Sequence, residues 1–225
     1  MKIGLICAME EEIEKIKKKF KNIQKVGKNK FEVYVGNWNN NEIYMVTCGI
    51  GKVNAAIMTQ YMIDKFDLDY IINTGVAGAI NEKLDVMDIV AANDLMYSDF
   101  DVTAFGYKLG EIPRLENSKF KTSETLLEIV RDEVDYVGRI TSSDKFVSNM
   151  EEKKYIYEKF ESYCTEMEGA AIAHTCEINN VPFIVIRAIS DKADGSANVN
   201  YDEFIEGAIE KTEKIVEHIF NNLEG

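Results

Sequence analysis

The chain has 225 residues, of which 46% are apolar, and its formal net charge is −13. That length and apolar content allow one sizeable hydrophobic core, and α/β folds of this size are commonly one domain. Such an excess of carboxylates repels phosphate backbones and anionic lipid head groups, so neither nucleic acid nor membrane is expected as a partner.

In chain order, short apolar runs alternate with amphipathic stretches, as in βα units around a central sheet. The pattern predicts a strand at 3–7, a helix at 9–19, strands at 31–35 and 42–47 around a loop at 37–41, a helix at 52–66, strands at 70–73, 88–92 and 137–141, helices at 151–160 and 168–179, a strand at 183–189 and a closing helix at 201–223. We therefore predict a single α/β domain over residues 1–225. Segment 86–114 is the least regular, which is typical of a functional loop or an interface.

The cysteines, Cys7, Cys48, Cys164 and Cys176, form no CxxC pair and have no histidine at metal-ligand spacing. We expect buried free thiols in a reducing compartment, with no disulfide and no metal site. The apolar run at the N-terminus is too short for a signal peptide, and no later stretch approaches the length of a membrane span. A cytoplasmic location is therefore expected.

Three predicted strands end in small or acidic residues that could contact a ligand. The strand at 3–7 leads into residues 8–12, the strand at 70–73 into the glycine-containing segment 74–78, and the strand at 183–189 into Ser190 and Asp191. Ligands of open α/β sheets collect beyond the carboxyl ends of the strands, and glycines there permit close approach. Each of these signals is weak by itself.

Glu12 is the best candidate within the acidic run that opens the first helix. Acidic residues in a first helical turn favourably oppose the helix dipole, so most of them are expected to be solvated. At about 100° per residue, Glu11 and Glu14 point away from the apolar face, whereas Glu12 flanks that face at roughly 70°. If one glutamate of this run reaches a pocket, geometry favours Glu12.

The other acidic candidates each have a structural alternative. Glu166 and Glu168 could cap the following helix, or they could face sugar hydroxyls. Asp191 could cap a short helical turn. Arg187, near the end of an apolar strand, needs a partner if it is buried, and Asp191 or a nearby glutamate could supply one.

Several common motifs of catalysis and phosphate binding do not occur. The turn at 49–52 is not a P-loop. That motif would need glycine at position 46 and serine or threonine at position 53, and both positions are valine. His174 and His218 have no ligand-like or triad-like neighbour, so a structural or exposed position is expected for each. Ser142-Ser143-Asp144 has no nucleophile elbow around it.

Short motifs along essentially the whole chain match, in order, those of one enzyme family. They are Lys2-Ile3-Gly4 leading to Ala8-Met9-Glu10-Glu11-Glu12, Gly49-Ile50-Gly51-Lys52-Val53, Ile72-Asn73-Thr74-Gly75 with Ala77-Gly78, Asp101-Val102-Thr103-Ala104-Phe105-Gly106-Tyr107, Glu166-Met167-Glu168, and Val181-Pro182-Phe183 through Arg187-Ala188-Ile189-Ser190-Asp191. Together they resemble the 5′-methylthioadenosine/S-adenosylhomocysteine nucleosidases of the nucleoside-phosphorylase-like superfamily. The resemblance implies a central mixed β-sheet flanked by helices and no cofactor. It also implies hydrolysis that releases adenine and a thio-ribose, a reaction of methionine salvage.

The resemblance also implies roles for the three acidic candidates. Asp191 would donate a proton to N7 of adenine, because a purine leaves poorly as an anion. Glu12 would orient and deprotonate the attacking water, as the base does in inverting glycosidases. Glu168 would accept hydrogen bonds from the ribose hydroxyls and place negative charge near the cationic sugar of the transition state.

Substrate-binding positions carry over in the same way. By this resemblance, Met9, Phe146 and Met167 would pack against the nucleoside, Val147 would bind adenine through its backbone, and Ile50 would line the subsite for the sulfur substituent. Ser190 would position Asp191, and Arg187 would help to hold water and carboxylates. The other substrate-binding positions implied are Val76, Ala77, Gly78 and Tyr201. The family is dimeric, and its partner subunit covers the apolar subsite. Val102, Phe105 and Pro113 match the positions that the partner contributes.

Three positions depart from the family pattern. Val76 replaces a familiar serine, Tyr201 a phenylalanine and Ser98 a histidine. None of them touches the three acidic roles, so the departures bear on substrate preference rather than on the class of reaction.

Three alternative functions remain open from the sequence. A phosphorolytic nucleoside phosphorylase would need cations for phosphate, and Arg187 is the only clear candidate, while Glu12 would repel the anion. A non-catalytic nucleoside sensor would not need all three acidic residues. A 6-amino-deoxyfutalosine hydrolase could use the same site.

Overall fold

The computed structural model describes residues 1–27, 32–194 and 197–223, and of residues 197–203 it describes the backbone only. These residues contain ten strands and six α-helices. The elements are β1 (Lys2–Cys7), α1 (Glu10–Lys17), β2 (Gln24–Val26), β3 (Val33–Trp38), β4 (Asn41–Thr47), α2 (Lys52–Phe66), β5 (Tyr70–Ala79), β6 (Ile89–Tyr97), β7 (Phe120–Lys121), α3 (Glu124–Val130), β8 (Tyr136–Ser142), α4 (Met150–Phe160), β9 (Cys164–Glu166), α5 (Gly169–Asn179), β10 (Phe183–Asp191) and α6 (Ala197–Asn222). A short 3-10 turn, Thr103–Phe105, interrupts the segment between β6 and β7.

The strands form one mixed sheet that closes partly on itself. The pairings β5–β10, β10–β6, β6–β8, β8–β9 and β9–β5 make a ring, in which β10–β6 and β9–β5 are antiparallel and the others parallel. From β5 the sheet continues through β1, β4, β3 and β2, with β1 parallel to both of its neighbours. The predicted α/β fold with a central mixed sheet is therefore confirmed.

Helices cover both faces of this sheet, which divides the core into two layers. Along β1, Ile3, Leu5 and Cys7 point to the layer with α1, α3 and α6, whereas Ile6 points to the layer with α2 and α5. These side chains are fully buried. Because side chains alternate along a strand, β1 supplies residues to both layers. Burying each such aliphatic side chain stabilises the fold by about 1.5–3 kcal/mol. None of the helices in the described ranges has the length and apolar character needed to cross a lipid bilayer.

Several predicted boundaries were wrong, chiefly where strands end. The strand predicted at 70–73 extends to Ala79, because the backbone of 74–78, which resembles a turn in sequence, pairs with β10 and β9. The strand predicted at 88–92 runs to Tyr97, so the irregular segment starts there rather than at residue 86. The predicted loop at 37–41 shortens to a turn at Asn39 and Asn40, where Asn39 has a φ of 54°. Short elements without a full apolar period, namely β2, β7, α3 and β9, were missed.

Candidate active site

A cavity of about 160 Å³ lies at the carboxyl ends of β1, β5 and β10, where the closed part of the sheet meets its extension. Its walls also include the turn before α2, the loop after β8 and the β9–α5 junction. The lining residues are Ala8, Met9, Glu12, Ile50, Val76, Ala77, Gly78, Phe146, Thr165, Glu166, Met167, Glu168, Ser190 and Asp191. All three predicted acidic residues therefore meet in one cavity.

Glu12 enters this cavity from the first turn of α1, as the helical geometry predicted. Its side chain folds back on its own helix, and Oε2 accepts hydrogen bonds of 2.9 Å from the backbone N–H groups of both Ala8 and Met9. The N–H of Val76 donates to Oε1 over 3.3 Å. Burial raises the pKa of Glu12 above its usual range, against the lowering effect of these amides and of Arg187. The carboxylate is thus fixed in position and made more basic.

Gly75 permits this approach of Glu12 to β5. A Cβ at position 75 would lie 2.6 Å from Glu12 Oε1, a distance that real Cβ atoms essentially never show. Any larger residue would push the carboxylate away from the Val76 amide. The glycine in the middle of β5 is therefore explained by the close contact between the strand and the acidic side chain.

Glu168 stands at the N-terminal end of α5 and is held from a distant part of the chain. The N–H of Gly51 donates to Glu168 Oε1 over 2.7 Å, and Gly51 has a φ of 99°, a conformation that glycine adopts without strain. Burial raises the pKa of Glu168 to about 7, and the negative charge of Glu166 adds to the shift. Near neutral pH, Glu168 is thus poised between its neutral and ionised forms.

The turn that carries Gly51 is itself anchored by charges. The Lys52 ammonium binds both carboxylate oxygens of Asp99, at 2.6 and 2.7 Å, and the Lys52 N–H donates to Asp144 Oδ1 over 2.9 Å. The Asp144 N–H donates in turn to Asp99 Oδ2 over 3.0 Å. These bonds tie the start of α2 to the loops after β6 and β8.

Arg187 and Glu166 form a buried ion pair beneath the cavity. Arg187 Nη2 donates to Glu166 Oε2 over 2.5 Å and to Asn73 Oδ1 over 2.6 Å. Glu166 Oε2 also accepts from the N–H groups of Glu168 and Gly169, so it caps α5. Burial lowers the pKa of Arg187, but the surrounding glutamates outweigh this effect and raise it. The partner of Arg187 is thus a nearby glutamate and not Asp191.

Asp191, the last residue of β10, is 3% exposed and is held through both carboxylate oxygens. Ser190 Oγ donates to Oδ2 over 2.9 Å, and the Ala193 N–H donates to Oδ1 over 2.8 Å. Asp191 thus accepts a hydrogen bond from a nearby backbone N–H, as a capping residue would, but it stabilises a local turn and not a helix. The same carboxyl group lines the cavity.

The remaining predicted site residues fall into four groups. The residues of the first group line the cavity: Met9, Ile50, Val76, Ala77, Gly78, Phe146, Met167 and Ser190. Val147 lies in an adjoining recess of about 30 Å³ that also contains Phe146 and Asp191. Arg187 does not line the cavity; it lies behind Glu166, because its charge requires a buried partner. Val102, Phe105 and Pro113, which are predicted to reach the site from the partner subunit, do not line the cavity of their own chain. The side chain of Tyr201 lies outside the described residues.

Sequence reasoning missed some contributors to the site. Ala8 and Thr165 line the cavity without having been predicted to do so, and Glu166, considered earlier as a cap or a sugar ligand, is both a cap and part of the lining. The sequence predicted a turn at Gly51, but it did not predict that the Gly51 N–H donates to Glu168. The three residues of β9, Cys164–Glu166, are too few to show a strand period in the sequence.

A second cavity, of about 510 Å³, is larger but has a different character. It lies between the segment before β7 and the end of α4, and its lining includes Lys108, Glu111, Lys119 and Arg139. Arg139 is already bound to Asp94 in an ion pair of 2.5 Å. This cavity holds none of the predicted site residues, and its mixed, mutually compensating charges single out no reaction. The smaller cavity, with its convergent buried carboxylates, is the candidate active site.

Comparison with known proteins identifies the family of the chain. The family model described as "Phosphorylase superfamily" matches residues 2–221. A 5′-methylthioadenosine/S-adenosylhomocysteine nucleosidase from Staphylococcus haemolyticus is 42% identical, over 98% of this chain and 100% of the relative.

Solved structures of two similar proteins superpose closely. The Neisseria meningitidis nucleosidase of the same name, in complex with methylthio-immucillin-A, is 37% identical with a TM-score of 0.95 and covers 99% of each chain. A futalosine hydrolase mutant of Helicobacter pylori is 31% identical with a TM-score of 0.95, over 99% of this chain and 100% of that one. The chain therefore belongs to the phosphorylase superfamily and, within it, to the family of 5′-methylthioadenosine/S-adenosylhomocysteine nucleosidases.

Proposed function

We propose that this chain hydrolyses the N-glycosidic bond of 5′-methylthioadenosine and S-adenosylhomocysteine, releasing adenine and a thio-ribose. The observation that carries the proposal is the convergence of Glu12, Glu168 and Asp191, all buried, on one cavity. The names of the relatives point to the same substrates. The reaction belongs to methionine salvage, with residues 1–225 acting as one catalytic domain.

Glu12 is proposed as the general base for the attacking water. Three backbone amides fix its carboxylate, and burial raises its pKa, which makes it a stronger base near neutral pH. Water oxygen bonds to C1′ of the ribose while Glu12 takes a proton from that water. The bond from C1′ to N9 breaks, and its electron pair leaves with adenine.

Asp191 is proposed as the general acid for the departing base. It donates its proton to N7 of adenine, so adenine leaves as a neutral molecule and not as an anion. The hydrogen bonds from Ser190 and from the Ala193 N–H hold the carboxyl group toward the cavity. Glu168, fixed by Gly51, accepts hydrogen bonds from ribose hydroxyls, and its negative charge stabilises the cationic sugar of the transition state.

The lining of the cavity favours water over phosphate as the nucleophile. Among the described residues, no lysine or arginine lines it, and Arg187 is engaged with Glu166 behind the wall. A phosphate anion placed beside Glu12 and Glu168 would be repelled in a site of low dielectric. These charges argue against the phosphorolytic alternative.

The 5′ substituent of the substrate is proposed to bind at the apolar part of the cavity, formed by Met9, Ile50 and Met167. A thioether is apolar and polarisable, so it suits methionine and aliphatic neighbours. The likeness to a futalosine hydrolase keeps 6-amino-deoxyfutalosine as a second candidate substrate.

We also propose a homodimer in the cytoplasm. Ile50, at the cavity mouth, is 54% exposed, and Val53 and Ile57 continue the apolar surface along α2 with 67% and 52% exposure. Their spacing of four residues places Val53 and Ile57 on one helical face. A second copy of the chain, presenting Val102, Phe105 and Pro113, would cover this surface and complete the sulfur subsite. Cysteines that are free in the structure support a reducing compartment.

A panel assay in phosphate-free buffer tests the proposed activity. Release of the free base is measured with 5′-methylthioadenosine, S-adenosylhomocysteine, 5′-deoxyadenosine, 6-amino-deoxyfutalosine, adenosine and inosine. We expect fastest turnover of the two thio-nucleosides and little of inosine, whose 6-oxo base is not adenine. Faster turnover of 6-amino-deoxyfutalosine would reassign the substrate, and no release from any member would overturn the proposed function.

A further inference from the structure

Lys153, in the second turn of α4, is a buried cation that the proposed mechanism does not use. The residue is 8% exposed, and its ammonium donates to the carbonyl oxygen of Lys192 over 2.6 Å. Burying an ammonium group is costly unless it is well paired. A lysine kept in this position therefore calls for an explanation beyond solubility.

The carbonyl that Lys153 binds belongs to the same peptide unit as the N–H that holds Asp191. Lys192 supplies the C=O of this unit and Ala193 supplies its N–H, which donates to Asp191 Oδ1 over 2.8 Å. The peptide group is planar, so fixing its oxygen also fixes the direction of its N–H. Lys153 thus connects to the proposed general acid through one rigid unit.

This peptide unit lies in a strained turn. Ala193 has a φ of 52°, in the left-handed region, which is unfavourable for a residue with a Cβ. Such a conformation persists only when its surroundings enforce it. Ala193 is fully buried in a small apolar cluster with Val147 and with Ile156 of α4, so the helix that carries Lys153 also packs against the turn.

The side chain of Lys192 anchors the same turn from the other side. Its ammonium binds the carbonyl oxygen of Leu84 and, at 2.7 Å, Asp85 Oδ1. The charged groups that act on the Lys153 ammonium are the carboxylates of Asp194, Glu82 and Asp191, and the ammonium of Lys192. Burial lowers the pKa of Lys153, and the three carboxylates counteract this effect.

We propose that Lys153 is a positioning residue for the general acid: it holds the Lys192–Ala193 peptide in the strained turn so that its N–H orients the Asp191 carboxyl group toward the leaving base. This inference rests on the proposed function, since it assigns Lys153 a role only through Asp191. Without the ammonium, the turn loses a bond that opposes relaxation of Ala193, so the Ala193 N–H orients Asp191 Oδ1 less strictly, while the bond from Ser190 to Oδ2 remains.

The test compares Lys153→Met, which keeps the aliphatic stem, with Lys153→Arg and with Lys154→Met. Lys154 is the neighbouring lysine, whose side chain is 74% exposed, so it is a matched control. With 5′-methylthioadenosine we expect Lys153→Met to lower kcat about tenfold and to change KM less than about twofold, since small misplacements of a reacting group act on the chemical step. Lys153→Arg should recover most of kcat, and Lys154→Met should match the wild type.

A double-mutant cycle with Asp191→Asn distinguishes positioning from a general effect on the fold. If Lys153 acts through Asp191, then Lys153→Met should change the residual single-turnover rate of Asp191→Asn less than about twofold. An equal loss in both backgrounds, or a wild-type kcat for Lys153→Met, would overturn the inference. A wild-type enzyme that releases no adenine would instead defeat the proposed function on which the inference rests.

Discussion

Arg187 Nη2 lies 2.5 Å from Glu166 Oε2, and each of these side chains is only 2% exposed. Glu166 lines the cavity and Arg187 lies behind it, where the guanidinium neutralises part of the negative charge that Glu12, Glu166 and Glu168 bring together. Removing one partner of a buried ion pair leaves the other charge uncompensated, which costs much more than the pair contributes as a whole.

We therefore expect Arg187→Met to destabilise the fold by about 3–5 kcal/mol, as breaking buried pairs does. Arg131→Met is the control, because Arg131 pairs with Glu128 at the surface and such pairs contribute at most about 1 kcal/mol. Urea denaturation of both variants measures the difference. Equal stabilities of the two would show that the buried pair is not a structural requirement.

Glu12→Gln should lower kcat by about 10² or more, because an amide cannot accept the proton of the attacking water. Glu11→Gln is the matched control: Glu11 is the preceding residue of α1, is exposed and does not line the cavity. Steady-state kinetics with 5′-methylthioadenosine, with circular dichroism to check folding, gives the comparison. A folded Glu12→Gln enzyme that keeps more than a tenth of its activity would refute the role of the base.

Asp191→Asn should also lower kcat by about 10² or more, because the leaving base loses its proton donor. The amide keeps the size of the side chain and can still bond to Ser190, so the protein should stay folded. Asp132→Asn, at an exposed position, should have wild-type activity. Near wild-type turnover by Asp191→Asn would remove Asp191 from the mechanism.

Glu168→Gln should change how stability depends on pH. The folded-state pKa of Glu168 is raised to about 7, from about 4.5, so ionising it costs folding free energy as pH rises through that window. The wild type should lose stability relative to Glu168→Gln between pH 5.5 and pH 8, by on the order of 1–3 kcal/mol. Urea denaturation at the two pH values tests this, and a pH-independent difference would contradict the raised pKa.

Val53→Glu should break the proposed dimer, because it places a charge in the middle of the exposed apolar stripe on α2. Light scattering after size exclusion should give twice the 25.6 kDa chain mass for the wild type and the single-chain mass for the variant. Tyr157→Glu, at a half-exposed aromatic position on α4, is the control and should remain dimeric. A monomeric wild type would rule out a subsite completed by a second copy.

Much of the fold could be predicted because strong local periodicity determines it. The helix predicted at 52–66 has those bounds in the structure, because it begins directly after the Gly49-Ile50-Gly51 turn and its buried residues recur at helical spacing, at Ala55, Met58, Thr59 and Met62. The end of β5 could not be predicted, because its glycines suggest a turn and its pairing partners, β9 and β10, lie about a hundred residues further along the chain.

The same distinction applies to the site. Helical geometry favoured Glu12 over its acidic neighbours, because the orientation of a side chain on α1 depends on residues within two turns, but the resemblance to a family was needed to assign it a role. The contact between Gly51 and Glu168 joins residues 117 positions apart, and no local pattern specifies it. Likewise, the link from Lys153 to the Lys192–Ala193 peptide depends on how α4 packs against the turn after β10, which only the tertiary structure defines.

The identity of the sugar product tests the central claim most directly. Wild-type enzyme is incubated with 5′-methylthioadenosine, with and without inorganic phosphate, and the products are identified by mass spectrometry. The arrangement of buried carboxylates around a cavity without lysine or arginine among its described lining residues predicts adenine and free methylthioribose at equal rates in both buffers. Formation of methylthioribose 1-phosphate, with turnover only when phosphate is present, would contradict it.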